Sequence, residues 1–258
     1  MKIARNTWET FEPVFLQDSE NPAFVALPWG GHRRFAYDLV RNVKPSTIVE
    51  LGSHVGNSLM TFCQGVLDSK APCTIFGIDT WTGDEHAGYY GEEIWEALNQ
   101  SVEKFYHSID VRLVRSTFDD QLSNFEDNSI DMIHIDGLHT YEACKHDFES
   151  WLPKLAKNGL VLLHDISLDS GYGSANYWIE IAKHYPNFAF EHSFGLGVIA
   201  PKGHRAGPIF TRSWSNQHCE RYTLLAQNDL LQLQVHDLTK MVNSRDAEIL
   251  NLSKQEPQ

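Results

Sequence analysis

The stretch IVELGSHVGNS, residues 48–58, joins a short apolar run to a helical pattern through two glycines. Its first four residues suit a strand that is buried on both faces of a sheet. Gly52 and Gly56 let the backbone turn tightly and approach a ligand, and the helix that follows offers free N–H groups at its N-terminus. This strand–loop–helix unit predicts a parallel α/β sheet with a binding loop at one edge.

Apolar runs of strand length alternate with helical patterns over most of the chain. The runs are STIVEL, CTIFGID, DVRLVR, IDMIHID and GLVLLHD. Helical spacing covers residues 56–69, 90–105 and 141–155, and an earlier helix runs from about His32 and stops at Pro45. The alternation predicts an α/β fold with a doubly wound sheet. After a further helix, ANYWIEIAKHY, the runs FAFEHS and GLGVIAP are too close for a crossover, so we expect an antiparallel hairpin at the sheet edge.

Past about Pro208 the apolar pattern changes to heptads. The first core position holds Val235, Val242 and Ile249, and the second holds Leu224, Leu231, Leu238 and Leu252. β-branched residues at one position and leucine at the other favour a parallel two-stranded coiled coil, in which Asn228 helps to fix the register and Arg245 interrupts the second series. The alternative is one amphipathic helix that folds back on its own domain.

These patterns predict a domain at residues 1–207, with residues 1–45 as an N-terminal cap and helix, and a coiled-coil oligomerisation helix at residues 214–258. A net charge of −13 without a basic stripe argues against nucleic-acid binding. Four cysteines without CxxC spacing favour a reducing compartment, and no segment is apolar enough to cross a membrane. We therefore expect a cytoplasmic protein, with peripheral contact at the inner face of the membrane left open.

Acidic residues end three of the predicted strands. Asp79, Asp136 and Asp165 should meet at the carboxyl-end crevice, where ligands bind in sheets of this kind. Asp79 suits the hydroxyls of a ribose, while Asp136 and Asp165 suit a hard divalent cation. His54 stands where a dinucleotide-binding GxGxxG motif needs its second glycine, which weakens a dehydrogenase interpretation.

Three segments together resemble the class I S-adenosylmethionine-dependent methyltransferases. They are IVELGSHVGNS, GIDTWTGDEHAGYYGEE and IDGLHTYEACKHDFESWLPKLAKNGLVLLHD, and the likeness extends from about Pro28 to Pro201. Within that class the chain is similar to the metal-dependent sugar O-methyltransferases of macrolide and rhamnosyl type and to cephalosporin-hydroxylase-like proteins. The resemblance implies a Rossmann-like sheet of seven strands with the last strand antiparallel, and S-adenosyl-L-methionine as the cofactor.

The resemblance also implies roles for individual residues. The cofactor would contact Glu50, Gly52, Ser53, Gly56, Ser58, Asp79, Thr80, Trp81, Ser116, Phe118 and Asp136. Trp81 has the alternative of packing at the rim of the site.

For catalysis, the resemblance implies that Asp136 and Asp165 bind a divalent metal and that His139 is the general base. His164 departs from the pattern, because relatives often have an acid there. As a ligand it would favour Mn²⁺ or Fe²⁺ over Mg²⁺, and it could instead point into the core. The alternative for His139 is a structural one, in which it only positions Tyr141.

A mixture of aromatic and acidic residues predicts a sugar-binding lid. Its candidates are Asp84, His86, Tyr89 and Tyr90, with Tyr172 opposite. GIDTWTGDEHAGYYG also resembles methyltransferase domains encoded with bacterial polysaccharide glycosyltransferases, which implies O-methylation of a surface polysaccharide such as O-antigen, or of a glycosyl acceptor. A homo-oligomer and a glycosyltransferase partner, or a fused glycosyltransferase domain, are then expected. The alternatives are a non-catalytic scaffold and a small-molecule methyltransferase or hydroxylase-like enzyme.

Overall fold

The computed structural model describes residues 8–86, 88–204 and 207–253. Nine strands occur in these ranges: β1 Thr47–Leu51, β2 Thr74–Asp79, β3 Gly83–Asp84, β4 Gly88–Tyr89, β5 Asp110–Arg115, β6 Ile130–Ile135, β7 Leu155–His164, β8 Asn187–Phe190 and β9 Leu196–Ile199. Seven of them form one sheet in the order β5-β2-β1-β6-β7-β9-β8, and β3 pairs with β4. In the large sheet β9 runs antiparallel to both of its neighbours, β7 and β8, while the other strand pairs are parallel. This confirms the predicted fold class and the hairpin at the edge.

Seven α-helices connect and follow these strands: α1 Arg33–Val43, α2 Asn57–Ser69, α3 Glu92–Tyr106, α4 Phe118–Gln121, α5 Tyr141–Trp151, α6 Gly173–Ile181 and α7 Arg212–Ser253. Short 3-10 turns precede α1 between Leu16 and His32. The predicted helix at 141–155 ends earlier, because a 3-10 turn containing Pro153 leads directly into β7.

The core lies on both faces of the sheet. Since side chains alternate along a strand, Ile48 joins the apolar layer beneath α1 and α2, whereas Val49 joins the layer beneath α5 and α6. Leu162 and Leu163 divide between the same two layers. The sheet is therefore fully covered, and its strand ends are the part left for a ligand.

The long helix α7 begins on this body and then leaves it. Trp214 and Tyr222 are buried, and Asp229 accepts two hydrogen bonds from the guanidinium of Arg34 at 2.6 and 2.8 Å. From Gln234 to Asp246 every side chain is exposed. Across the described ranges, no helix has both the length and the apolar character needed to span a bilayer.

Candidate active site

The loop between β1 and α2 crosses the carboxyl end of the sheet. Gly52 and Gly56 have φ of 91° and 81°, in the region that favours glycine. At Gly52 a Cβ would collide with the carbonyl of Asp136, so only glycine lets the loop lie against β6. The predicted need for glycine at both positions is confirmed.

Three polar side chains brace this loop from below. The Trp29 indole donates to Nε2 of His134 at 3.1 Å, so the ring proton of His134 lies on Nδ1, which donates to Glu50 at 2.9 Å. Glu50 also accepts from the Ser53 hydroxyl at 2.8 Å. Glu50 is fully buried and does not line the cavity, so it supports Ser53 from behind, and its contact with a cofactor stays a prediction.

Asp79 holds the same loop from the neighbouring strand. Its Oδ2 accepts the backbone N–H groups of Ser53 and His54 at 3.0 and 2.9 Å, and its Oδ1 accepts the N–H of Trp81 at 2.8 Å. A carboxylate has about four acceptor sites, so one remains on the cavity side for a hydroxyl. The predicted ribose residue is thus first of all the residue that shapes the loop.

Trp81 stands in a strained conformation behind the loop. It is buried, has a φ of 51° and donates its indole N–H to the carbonyl of His54 at 3.0 Å. The indole therefore packs the rim, and the predicted contact with a cofactor is replaced by the alternative considered for it.

A cavity of about 570 Å³ opens over this loop and the ends of β6 and β7. Its lining includes these predicted residues: Gly52, Ser53, Ser58, Asp79, Thr80, Asp84, His86, Tyr90, Phe118, Asp136, His139, His164, Asp165 and Tyr172. Gly56 and Ser116 lie behind the lining, because Gly56 faces Leu98 and the backbone of Ser116 pairs with that of Asp79. Tyr89 is 83 % exposed on β4 and points outside the cavity wall.

His164 is a buried cation between two carboxylates. Its Nδ1 lies 2.9 Å from Asp165 and 3.3 Å from Asp136, and its Nε2 lies 3.0 Å from the carbonyl of Ser193. All these partners are acceptors, so both ring nitrogens carry protons. Burial by itself lowers the pKa of His164, but the two carboxylates outweigh it and raise the pKa to about 10. In this arrangement both ring nitrogens of His164 face acceptors, and its role as a metal ligand stays a prediction.

The same ion pair acts on Asp136. Burial raises the pKa of Asp136, but the charge and hydrogen bond of His164 outweigh burial and hold the pKa well below its usual value. Asp136 is therefore ionised at neutral pH.

His139 and Asp165 form a close pair in the cavity wall. Nδ1 of His139 lies 3.1 Å from Oδ2 of Asp165, is buried and makes no aligned hydrogen bond. One ligand atom from each of Asp136, His139 and Asp165 lies within 4.8 Å of the others. The three residues lie together, as the sequence predicted. The sequence predicted His164 as a metal ligand and His139 as the base, whereas it is His139 that lies in this group.

The hairpin of β3 and β4 lies against this pair. Nδ1 of His86 accepts the backbone N–H of His139 at 3.2 Å, and the His86 ring stacks on Tyr172 with centroids 5.2 Å apart. Tyr172 also meets the ring of His139 edge-on, at 4.8 Å. The predicted lid therefore contacts the predicted base directly.

Several lining residues gave no signal in the sequence. Trp29 and Leu27 come from the 3-10 turns before α1, and Thr117 follows β5. Phe194 comes from a turn in which Ser193, Phe194 and Gly195 all have positive φ, and no residue pattern announces such a turn in advance. The run PWGG at residues 28–31 is the one local feature that pointed to an unusual turn.

Comparison with known proteins agrees with this geometry. Residues 49–166 match the family model described as a methyltransferase domain. The matched segment resembles a methyltransferase domain. It contains the glycine loop, Asp79, Asp136, His139 and Asp165.

Solved structures share the fold of this chain. The methyltransferase PaMTH1 of Podospora anserina, solved with S-adenosylhomocysteine, superposes with a TM-score of 0.53 at 15 % identity, covering 73 % of this chain and 89 % of its own. A Staphylococcus aureus protein assigned as a caffeoyl-CoA O-methyltransferase gives 0.51 at 18 % identity, covering 72 % and 95 %. At such identities the likeness shows the fold.

A curated relative is much closer in sequence. The uncharacterized protein y4gI of Sinorhizobium fredii is 43 % identical over 175 residues, which cover 66 % of this chain. The matched part is 19 % of that protein, so the chain spans about a fifth of the length of this relative.

Proposed function

We propose that the protein is an S-adenosylmethionine-dependent O-methyltransferase in which His139 takes the proton of the acceptor hydroxyl. The observation that carries the proposal is the His139–Asp165 pair, 3.1 Å apart, in the wall of the cavity that the glycine loop also lines. The cofactor, when bound, supplies a methyl group on a sulfonium. The chain must then hold the acceptor oxygen in line with that group and remove its proton.

The residues of the cavity divide this work. When the acceptor oxygen takes the methyl group and the sulfonium becomes a thioether, the hydroxyl proton would pass to His139. Asp165 lies beside Nδ1 and stabilises the imidazolium that results. His164 holds the carboxylate of Asp165 in place by its own hydrogen bond.

A divalent cation is a second way to activate the hydroxyl at the same place. The residues fit one, since Asp136, Asp165 and Nδ1 of His139 converge and Nδ1 has no hydrogen bond. Two oxygens and one nitrogen suit Mn²⁺ or Fe²⁺ as well as Mg²⁺. A cation would lower the pKa of the acceptor hydroxyl. If Nδ1 of His139 bound that cation, the ring proton would lie on Nε2, so His139 would be either a metal ligand or the general base and not both.

We infer a sugar hydroxyl as the acceptor. Tyr90, Tyr172 and His86 offer flat faces in the cavity, and Asp84 adds a carboxylate beside them. Such a mixture binds the apolar face and the hydroxyls of a sugar. The resemblance to polysaccharide-associated methyltransferases extends this to a bacterial surface glycan, with a glycosyltransferase as the partner.

A small aromatic alcohol is the competing acceptor. The cavity wall also contains Leu27, Leu138 and Phe194, which suit an apolar ring better than a hydrated sugar.

The test is methyl transfer from labelled S-adenosylmethionine to two panels, nucleotide sugars with simple hexoses, and catechols with simple phenols. We expect product that is heavier by one methyl group, in the sugar panel, and loss of product in His139→Ala with His184→Ala as the matched surface control. A product heavier by oxygen would contradict methyl transfer. Undiminished turnover in His139→Ala would contradict the role of His139 as the general base.

Chelation separates the two ways of activating the hydroxyl. Activity that survives exhaustive chelation supports His139 as the base alone. Activity that disappears and returns with Mg²⁺ or Mn²⁺ supports the cation and makes His139 a ligand.

A further inference from the structure

The second half of α7 presents an apolar stripe that the protein's own body does not cover. We name it the heptad face, formed by Leu224, Asn228, Leu231, Val235, Leu238 and Val242. Its five apolar side chains are 56 to 62 % exposed. Side chains beyond Asp246 lie outside the described ones, so the predicted continuation through Ile249 and Leu252 stays a prediction.

The heptad face is separate from the face by which α7 holds its own body. Tyr222 and Asp229, one heptad apart, point inward to Asp38 and Arg34. Leu224 and Leu231, two residues further on in each case, lie on the opposite side of the helix and are exposed. The body of the protein contacts the opposite side of α7. The heptad face therefore does not fold back on its own domain.

The spacing selects another helix as the occupant. Successive members of the heptad face are separated by four, three, four, three and four residues, an average that lets two helices supercoil. From Leu230 to Ser253 the helix extends about 36 Å, long enough for three heptads. β-branched residues at one position and leucine at the other favour two parallel strands.

The charges select a second copy of this chain as the partner. Between Leu224 and Val242 the charged residues are Asp229, Asp237 and Lys240, all at outward heptad positions. The positions that flank the seam hold Leu225, Gln227, Gln232, Gln234, Thr239 and Met241. A different partner is normally chosen by charges at these flanks, whereas uncharged flanks let two identical chains with a net charge of −13 meet without local repulsion.

We propose that the heptad face joins two copies of this chain in a parallel coiled coil, which places both methyltransferase domains at the same end of the pair. Asn228 then faces the same residue of the second copy near the body and fixes the register. The inference does not depend on the proposed function, since α7 lies outside the cavity.

The test is sedimentation of the full chain at micromolar concentration. We expect a dimer whose dissociation constant rises at least about 100-fold in the double variant Leu231→Glu with Leu238→Glu. The control is His236→Glu with Asn243→Glu, which adds the same charge at exposed outward positions of the same helix. It should remain dimeric, and thermal unfolding of the body should be unchanged in both variants.

Cross-linking tests the parallel arrangement. In a parallel pair, Leu238→Cys brings identical thiols within disulfide distance, whereas Asn243→Cys does not. We expect oxidation to link the first variant and leave the second and the wild type unlinked. A monomeric wild type, an assembly larger than a dimer, a dimer insensitive to the Glu pair, or no cross-link at residue 238 would each overturn the proposal.

Discussion

At the scale of single residues, His164 lies where side-chain alternation along a strand no longer predicts the direction of a side chain. Neighbours on a strand face opposite ways, so His164, expected beside Asp165 as a metal ligand, had the alternative of pointing into the core. The strand ends at His164, and Asp165 has a φ of 57°, a left-handed conformation that breaks the alternation. Both side chains therefore face the same carboxylate cluster, and His164 supplies the positive charge there.

His164→Leu tests that charge. The change leaves Asp136 and Asp165 without their buried cation, and breaking a buried pair in this way costs about 3–5 kcal/mol. We expect the free energy of unfolding in urea at pH 7 to fall by that amount. His184→Leu, at an exposed position, is the control and should change little; equal stability of the two variants would show that His164 carries no charge.

Asp147 gives a prediction for pH. Burial raises the pKa of this carboxyl on α5 to about 7, above its value of about 3.9 in an unfolded chain. The fold therefore favours the protonated form, and this contribution to stability is complete below about pH 4 and is lost as the pH rises through 7.

Asp147→Asn should consequently flatten the pH dependence of stability. Between pH 5 and pH 8.5 we expect the wild type to lose about 2 kcal/mol more free energy of unfolding than the variant. Glu149→Gln, an exposed change on the same helix, should follow the wild type. Parallel curves for Asp147→Asn and the wild type would contradict the shifted pKa.

At the scale of elements, the loop after β1 depends on Asp79. In Asp79→Asn an amide NH₂ replaces an oxygen that accepts backbone N–H groups. Two hydrogen-bond donors, the amide NH₂ and a backbone N–H, then face each other, and the loop must move. We expect affinity for S-adenosylhomocysteine to fall about 10- to 100-fold by calorimetry. Asp169→Asn, at an exposed acid on another turn, is the control, and unchanged affinity in Asp79→Asn would show that the loop does not bind the cofactor.

A hydrogen bond between His86 and the backbone of His139 joins the hairpin of β3 and β4 to the loop after β6. His86→Ala removes the acceptor of the His139 N–H, so this amide should exchange with solvent at least about 10-fold faster. Tyr89→Ala, at the exposed neighbour on β4, should leave it unchanged. Equal protection of the His139 amide in both variants would mean that His86 does not hold the hairpin.

The elements were predictable because their signals are local. Apolar runs, glycines and strand-end acids indicated the alternation of strands and helices and placed Asp79, Asp136 and Asp165 in one crevice. The bracing of the loop by Trp29, His134 and Glu50 was not predictable, since these residues are at least 21 positions apart in the chain and meet only through packing. Phe194 was missed because its turn depends on strained backbone that no residue type requires.

At the scale of the whole molecule, the protein combines an α/β body with a helix that leaves it. The first half of α7 is anchored by Tyr222 and Asp229, and the second half exposes the heptad face. The heptads in the sequence indicated an apolar face on this helix, and its coiled-coil role stays a prediction. The anchoring contacts with α1 had no sequence signal.

The central claim is that the cavity over the glycine loop binds S-adenosylmethionine. Titration of the full chain with S-adenosylhomocysteine in a calorimeter tests it without knowledge of the acceptor. The account predicts saturable binding of one molecule per chain that His139→Ala leaves intact. Absence of any binding heat at high protein concentration would contradict it.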